Sequence, residues 1–307
     1  MSRTSLWTTV ACTLPMLGAT AALAQPAGID TSNPWVFGVQ GGAIYQMEAD
    51  TGGGGGFSVA RGYVEPSVSY VLDPLGNAGV ALGYGYSDYD FSPGTFLGGQ
   101  EPWGGVNDLR LSLPIRWAAT SDLQVFAAPS LRFDWENGSD MADGMTGGAI
   151  VGASWKVSDT FSIGPGVGVF SGLEEDIDVF PILLINWQMT DDLALRTGSG
   201  LGASRGPGLT LDWQVTDEWS LGVGARYEKV RFRLDDTGPA PGGVGEDKAF
   251  PVFLTAGWEP VPNARLTAIA GIETGGELSL EDSAGASLAS TEYDPAAFFG
   301  VAFRARF

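Results

Sequence analysis

Along most of the chain, large apolar residues alternate with small or polar ones, the period of a half-buried β-strand. Leu109, Leu111, Leu113, Ile115 and Trp117 take one side of such a strand, and Arg110, Ser112, Pro114 and Arg116 take the other. Phe161, Ile163, Pro165, Val167 and Val169 oppose Ser162, Gly164, Gly166 and Gly168 in the same way. At the end of the chain Phe299, Val301, Phe303, Ala305 and Phe307 oppose Gly300, Ala302, Arg304 and Arg306. In nearly every segment a single choice of parity clears one face of charge. The pattern predicts fourteen strands, at 34–47, 57–72, 78–90, 108–119, 123–135, 146–157, 161–170, 177–189, 193–201, 206–215, 219–234, 249–258, 264–274 and 296–307. The link at 202–205 is unusually short, so twelve strands is the alternative.

A short turn recurs between strands. "WAATSDLQVF", "WKVSDTFSIG", "WQMTDDLALR", "WQVTDEWSLG" and "WEPVPNARLTA" each set a tryptophan (Trp117, Trp155, Trp187, Trp213, Trp258) just before a tight polar turn, after which the alternation resumes. Longer, polar, glycine-rich or acidic connections lie at 49–56, 91–107, 136–145, 171–178, 202–205, 235–248 and 275–294. Indole rings recurring at one depth suit a membrane interface, and short turns on one side with long loops on the other describe an outer-membrane barrel. Tryptophans at the strand ends of a soluble core are the alternative. The expected fold is all-β: a transmembrane antiparallel up-and-down β-barrel over 34–307, with the five tryptophans as its aromatic girdle.

Composition agrees with this reading. The 307 residues include 46 glycines and 18 prolines and are only 17% charged, as many short strands and tight turns require. Met1-Ser2-Arg3, the apolar run 10–23 and the small residues Ala22 and Ala24 read as a cleaved export signal over 1–24. Residues 25–33 then form a short periplasmic segment, and the expected location is the outer membrane. Cys12, the only cysteine, falls in the leader, so the exported chain forms no disulfide. No other stretch approaches the ~20 apolar residues of a membrane helix, so a spanning chain must cross as strands.

The net charge of −20 argues against a nucleic-acid partner. Strand parity turns Arg61, Arg110, Arg116, Arg132, Lys156, Arg196, Arg226, Arg265, Arg304 and Arg306 inward, with the acids Glu65, Asp134, Asp212 and Glu273. Glu228 joins them by a parity that changes near 228–229. That change implies either a bulge or a rise of Lys229, Arg231 and Arg233 above the membrane toward lipopolysaccharide phosphates. Arg or Lys at a lipid-facing midplane position costs about 2–4 kcal/mol, whereas a lumen tolerates it. Most other acids lie in the long connections, giving a basic lumen and an acidic rim. Such a wall favours anions. Alternatively, the arginines pair with the acids and with backbone carbonyls and brace a nearly closed interior.

Histidine is absent, which removes the usual general base and zinc ligand. Ser204 in "GASRG" therefore matches the nucleophile-elbow pattern only by accident. "TGGGGG" at 51–56 lacks the Lys-Ser/Thr of a phosphate loop and reads as a flexible connection. "EEDID" (Glu174, Glu175, Asp176, Asp178) is mainly a solvated acidic loop, with a divalent-cation site as the minor alternative. Neither a cofactor nor a resident metal is implied.

"RFRLDD", "GVGED", "GGELSLEDSAG" and "YDPAAFFGVAFRARF", covering much of the chain from Arg231 onward, resemble the C-terminal part of a family of proteobacterial outer-membrane β-barrel proteins of uncharacterised function. The Trp-turn repeats are similar to it as well. The resemblance implies a porin-like fold and location, with no substrate or catalytic residue to carry over. It also implies that the ending on Phe303 and Phe307 is the signal presented to the barrel assembly machinery. Fatty-acid transporters of the outer membrane resemble the fourteen-strand layout too, but carry an N-terminal plug for which 25–33 is too short.

The first expectation is a monomer among outer-membrane lipid and lipopolysaccharide, a passive channel for small polar or anionic solutes and not an enzyme. Connections 91–107 and 275–294 are its candidate constrictions. The second is a non-conducting structural or surface-binding barrel with a salt-bridged lumen. A carboxylate enzyme comes third and needs an acid pair about 5–10 Å apart.

Overall fold

The computed structural model describes residues 33–307 apart from 53, 73–75, 95–99, 175–176 and 198–207. The leader, Ser204 and the link at 202–205 thus lie outside the described residues. The strands in chain order are β1 (Trp35–Asp50), β2 (Gly56–Leu72), β3 (Gly76–Phe91), β4 (Gly105–Ser112), β5 (Ile115–Ala118), β6 (Leu123–Glu136), β7 (Met145–Ser158), β8 (Phe161–Ser171) and β9 (Ile177–Gln188). They continue as β10 (Leu193–Thr197), β11 (Gly208–Gln214), β12 (Trp219–Arg226), β13 (Glu228–Arg233), β14 (Val244–Val261), β15 (Ala264–Glu281), β16 (Ser287–Tyr293) and β17 (Ala296–Arg306). A 3-10 turn spans Met141–Gly144.

All seventeen segments belong to one sheet, closed where β1 meets β17 with Gly38 opposite Arg306 and Gln46 opposite Phe298. Three barrel strands are each interrupted once. Pro114, which has no N–H to give the ladder, separates β4 from β5, yet both halves lie between β3 and β6. Pro295 parts β16 from β17, and Tyr227 parts β12 from β13. The result is a closed, antiparallel, fourteen-strand β-barrel, the count that the alternation predicts.

The repeated turn has a common mechanism. In three of the hairpins a threonine hydroxyl accepts the N–H three residues on: Leu123 to Thr120 (3.0 Å), Leu193 to Thr190 (3.1 Å) and Trp219 to Thr216 (3.1 Å). This local bond fixes the turn and, through it, the register that sends each neighbouring tryptophan outward. Trp117, Trp155, Trp187, Trp213 and Trp258 all stand exposed at this short-turn end, joined by Trp35 and Trp219. Around the wall, Leu82, Leu111, Leu131, Val151, Leu183, Leu221, Leu254, Leu266 and Val301 are exposed as well. A continuous apolar band of this kind belongs against hydrocarbon.

Two connections predicted as loops are strand in part, the last five residues of 235–248 and most of 275–294. β14 begins at Val244, β15 runs on to Glu281, and β16 lies within 275–294. Charged residues on the outer face, Glu277 and Glu281, mask the inward alternation of Leu278 and Leu280.

At the long-loop end the wall divides. Arg233 of β13 pairs in parallel with Trp135 of β6, and Thr51 after β1 pairs with Tyr293 of β16. Among the described residues β1, β2, β3, β4, β6, β13, β14, β15 and β16 thereby close a smaller ring, with β7, β8 and β9 outside it.

Candidate functional site: the barrel interior

The smaller ring is filled. Phe57, Val59, Val106, Phe232, Leu278 and Leu280 are no more than 2% exposed and form one cluster with Tyr89, Phe91, Trp103 and Tyr293. Trp103 enters from the 91–107 connection and stands edge-on to Phe91 (5.6 Å), Tyr89 (5.7 Å) and Phe232 (5.2 Å). Gly276 permits this packing, since a Cβ there would come 2.1 Å from the Tyr293 ring. Both connections expected to constrict the lumen contribute: 91–107 through Trp103, and 275–294 through Leu278, Leu280 and Tyr293.

Beneath the cap runs a belt of ions whose hub is Asp247. Tyr89 and Tyr293 donate their hydroxyls to it (2.9 and 3.1 Å), and Arg61 Nη2 donates to Oδ2 (2.9 Å). Arg61 Nη1 reaches Glu273 Oε1 (3.4 Å) and Gln46 Oε1 (3.3 Å). Three further pairs link residues two apart on one face: Arg110 with Asp108 (3.1 Å), Arg132 with Asp134 (2.7 Å) and Arg226 with Glu228 (2.5 Å). Arg226 also lies over the Phe253 ring, 5.0 Å from its centroid. Gln40 donates to Glu65 (2.8 Å). A buried charge is costly unless paired and hydrogen-bonded, so this belt commits its arginines to the wall rather than to a passing solute.

The register from Trp219 opposite Trp258 to Arg233 opposite Val244 is unbroken, so the strand carries no bulge near Glu228. The irregularity lies between Lys248 and Phe250 of β14 instead. Lys229, Arg231 and Arg233 occupy the other face of β13 and are engaged within the chain. Lys229 and Arg231 meet Glu246 (3.3 and 2.7 Å), Arg231 also meets Glu281 (2.7 Å), and Arg233 meets Glu174 (2.7 Å). Glu174, the first acid of "EEDID", thus serves an arginine; Glu175 and Asp176 lie outside the described residues.

Lower in the lumen two apolar groups face inward: Ile44, Phe253, Ile269 and Phe298 on one side, and Ile150, Phe170, Phe180 and Ile182 on the other. The short-turn end is different in character. Arg196 meets Asp212 (3.5 Å), and Lys156 meets Asp159 (2.6 Å) in an exposed turn. That hydrogen bond and the lysine charge hold the Asp159 carboxyl below the ordinary aspartate range. Arg265 lies directly opposite Arg304 and donates to Ser220 Oγ (2.5 Å). Among the described residues, no ion pair engages Arg116, Arg265, Arg304 or Arg306.

Of the ten basic residues read from parity, six therefore hold an acid and four do not. Parity missed Asp108, although it lies on the same face as Arg110 and the spacing could have found it. Asp247, Tyr89, Tyr293 and Trp103 carried no comparable signal, because their meeting depends on how the ring closes.

A closed fourteen-strand barrel with an apolar outer belt, an aromatic girdle and a charged interior defines an outer-membrane-type β-barrel. Among solved structures the chain is similar to an outer-membrane channel from Pseudomonas putida F1, with 10% identity over 90% of this chain and 96% of that one and a TM-score of 0.51. It is also similar to a FadL homologue from Pseudomonas aeruginosa, with 11% identity over 90% of this chain and 93% of that one and a TM-score of 0.52. At such identity the likeness is one of fold. No protein-family model and no curated protein matches the sequence.

Proposed function

We propose that the chain is a channel-type barrel of the outer membrane, held shut at rest in its extracellular half. In this reading the long loops face outward and the short turns face the periplasm, as in other outer-membrane barrels. The observation that carries it is the aromatic cap stacked on the Asp247 belt. Passive flow of small polar or anionic solutes needs a wet path, and apolar residues no more than 2% exposed offer none at that level. The extracellular half thus favours the salt-bridged, non-conducting alternative, while the periplasmic half keeps the basic wall of a channel. Passage requires Trp103, β13 and the Asp247 belt to move together. The buried acids are tied to arginine, lysine, tyrosine, glutamine or, for Glu136, the backbone N–H groups of Gly104 and Asp235, which favours a bracing role for them over a catalytic one.

Planar-bilayer recording tests this. Refolded mature protein gives no sustained current steps, and the double variant Trp103→Ala with Phe232→Ala gives steps that the parent lacks. Frequent porin-like steps from the parent would overturn the shut state.

A further inference from the structure

The arginines of the lumen fall into two populations. Arg61, Arg110, Arg132, Arg196 and Arg226 each meet an acid at 3.5 Å or less. Arg116, Arg265, Arg304 and Arg306, all at the periplasmic mouth, have no such partner among the described residues. Arg265 and Arg304 are directly opposite on neighbouring strands, an arrangement that like charges disfavour. Arg306 is the next lumen-facing residue after Arg304, and Arg116 faces the same lumen on β5, reached from Arg306 across β1, β2 and β3.

The wall between these arginines carries small and polar side chains, with Val71 of β2 opposite Asn77. Gly38 faces Arg306 on one side and Ser67 on the other, and Asn77 faces Arg116. Ser67 and Arg304 are exposed although they point into the barrel, so water reaches this level. Among the described residues, no local acid forms an ion pair with the group. Glu65 lies two strands along the row from Arg304, but Gln40 stands between them and donates to it. Glu259 acts on Arg304 only at a distance, without an ion pair.

Several guanidinium groups around one wet mouth of the lumen are suited to a compact oxyanion of more than one charge, because each planar fork can take two oxygens. We propose that the periplasmic mouth is a binding site for a small multivalent oxyanion of the phosphate or phosphate-ester type. Arg304, Arg306 and Arg116 contact it, and Arg265 contributes charge from its place on Ser220. The site does not depend on whether the cap above it opens.

The test is calorimetric titration of refolded protein in neutral detergent at low salt, with inorganic pyrophosphate as the probe. The expected result is one saturable site, weakened about tenfold or more by Arg304→Gln or Arg306→Gln, since each removes a charge-assisted hydrogen-bond donor. Arg304→Lys, which keeps the charge and loses the fork, falls between the two. Lys156→Ala, in an exposed turn, leaves the affinity within about twofold of the parent. Heat-modified gel mobility reports that each variant is folded. Equal affinity in parent and Arg304→Gln, or equal loss in Lys156→Ala, overturns the site. Chloride competing as well as sulfate at matched ionic strength overturns its preference for multivalent anions. Loss of the titration when anionic phosphatidylglycerol is added to neutral phosphatidylcholine vesicles overturns the soluble ligand in favour of a lipid phosphate.

Discussion

The two halves of the lumen use the same residue types to opposite ends. In the extracellular half every described lumen arginine lies against a carboxylate, and Phe57, Phe232, Leu278 and Leu280 seal the space above. In the periplasmic half of this reading four arginines have no ion-pair partner among the described residues, and Arg304 is exposed. An inward arginine is therefore not by itself a sign of a conducting path. Its neighbours on the same face decide whether it braces the wall or is free for an anion. At the belt those neighbours are acids, two residues away for Arg110, Arg132 and Arg226 and on other strands for Arg61; at the mouth they are glycine, serine and other arginines.

This contrast sets the order of mutational effects. The largest falls on the cap and belt. Phe232→Ala leaves a cavity at a fully buried site and costs about 3–5 kcal/mol in denaturant unfolding, followed by tryptophan fluorescence in lipid vesicles. Arg61→Ala strands Asp247 and Glu273 without their shared cation and costs a similar amount, about 3–5 kcal/mol. Asp247→Asn keeps an acceptor for the tyrosines but loses the charge opposite Arg61, and costs about 1–3 kcal/mol in the same measurement. At the mouth the sign changes. Arg304→Gln relieves the repulsion from Arg265 and is neutral or stabilising by about 0.2–1 kcal/mol. Destabilisation at the mouth as large as that at Arg61 would abolish the contrast.

The smallest effect belongs to the turn. Asp159 has a depressed carboxyl pKa in the folded protein, so its contribution is present above the unfolded aspartate value and is lost as pH falls through the folded one. Because Lys156 and Asp159 are both solvent-exposed, Asp159→Asn leaves the unfolding midpoint at neutral pH unchanged.

Much of this architecture was legible in the sequence. Alternation revealed fourteen strands and which residues, the five tryptophans among them, stand exposed on the outer face, because a half-buried strand has a strict period of two. Three ion pairs were also written there, as Asp108-Leu109-Arg110, Arg132-Phe133-Asp134 and Arg226-Tyr227-Glu228. Opposite charges two apart on one strand share a face, so each triplet is a local pair that needs no knowledge of the fold.

The remainder depends on long-range closure. Nothing in "VRFRLDD" announces that Arg233 meets Trp135 of β6, and without that contact Phe232 has no reason to face Trp103. Asp247 sat in a run of polar residues whose outward charges hid an inward alternation, so it read as a loop. The proposed shut state of the barrel rests on these two features.

The most direct measurement uses the absence of cysteine after Cys12. Ser67→Cys places a single thiol in the periplasmic half of the lumen, and Val59→Cys places one in the cap. Refolded in vesicles and exposed to a membrane-impermeant maleimide on both sides, Ser67→Cys is modified while Val59→Cys resists until the barrel is denatured. Modification of Val59→Cys in the folded barrel as fast as Ser67→Cys would contradict a sealed extracellular half.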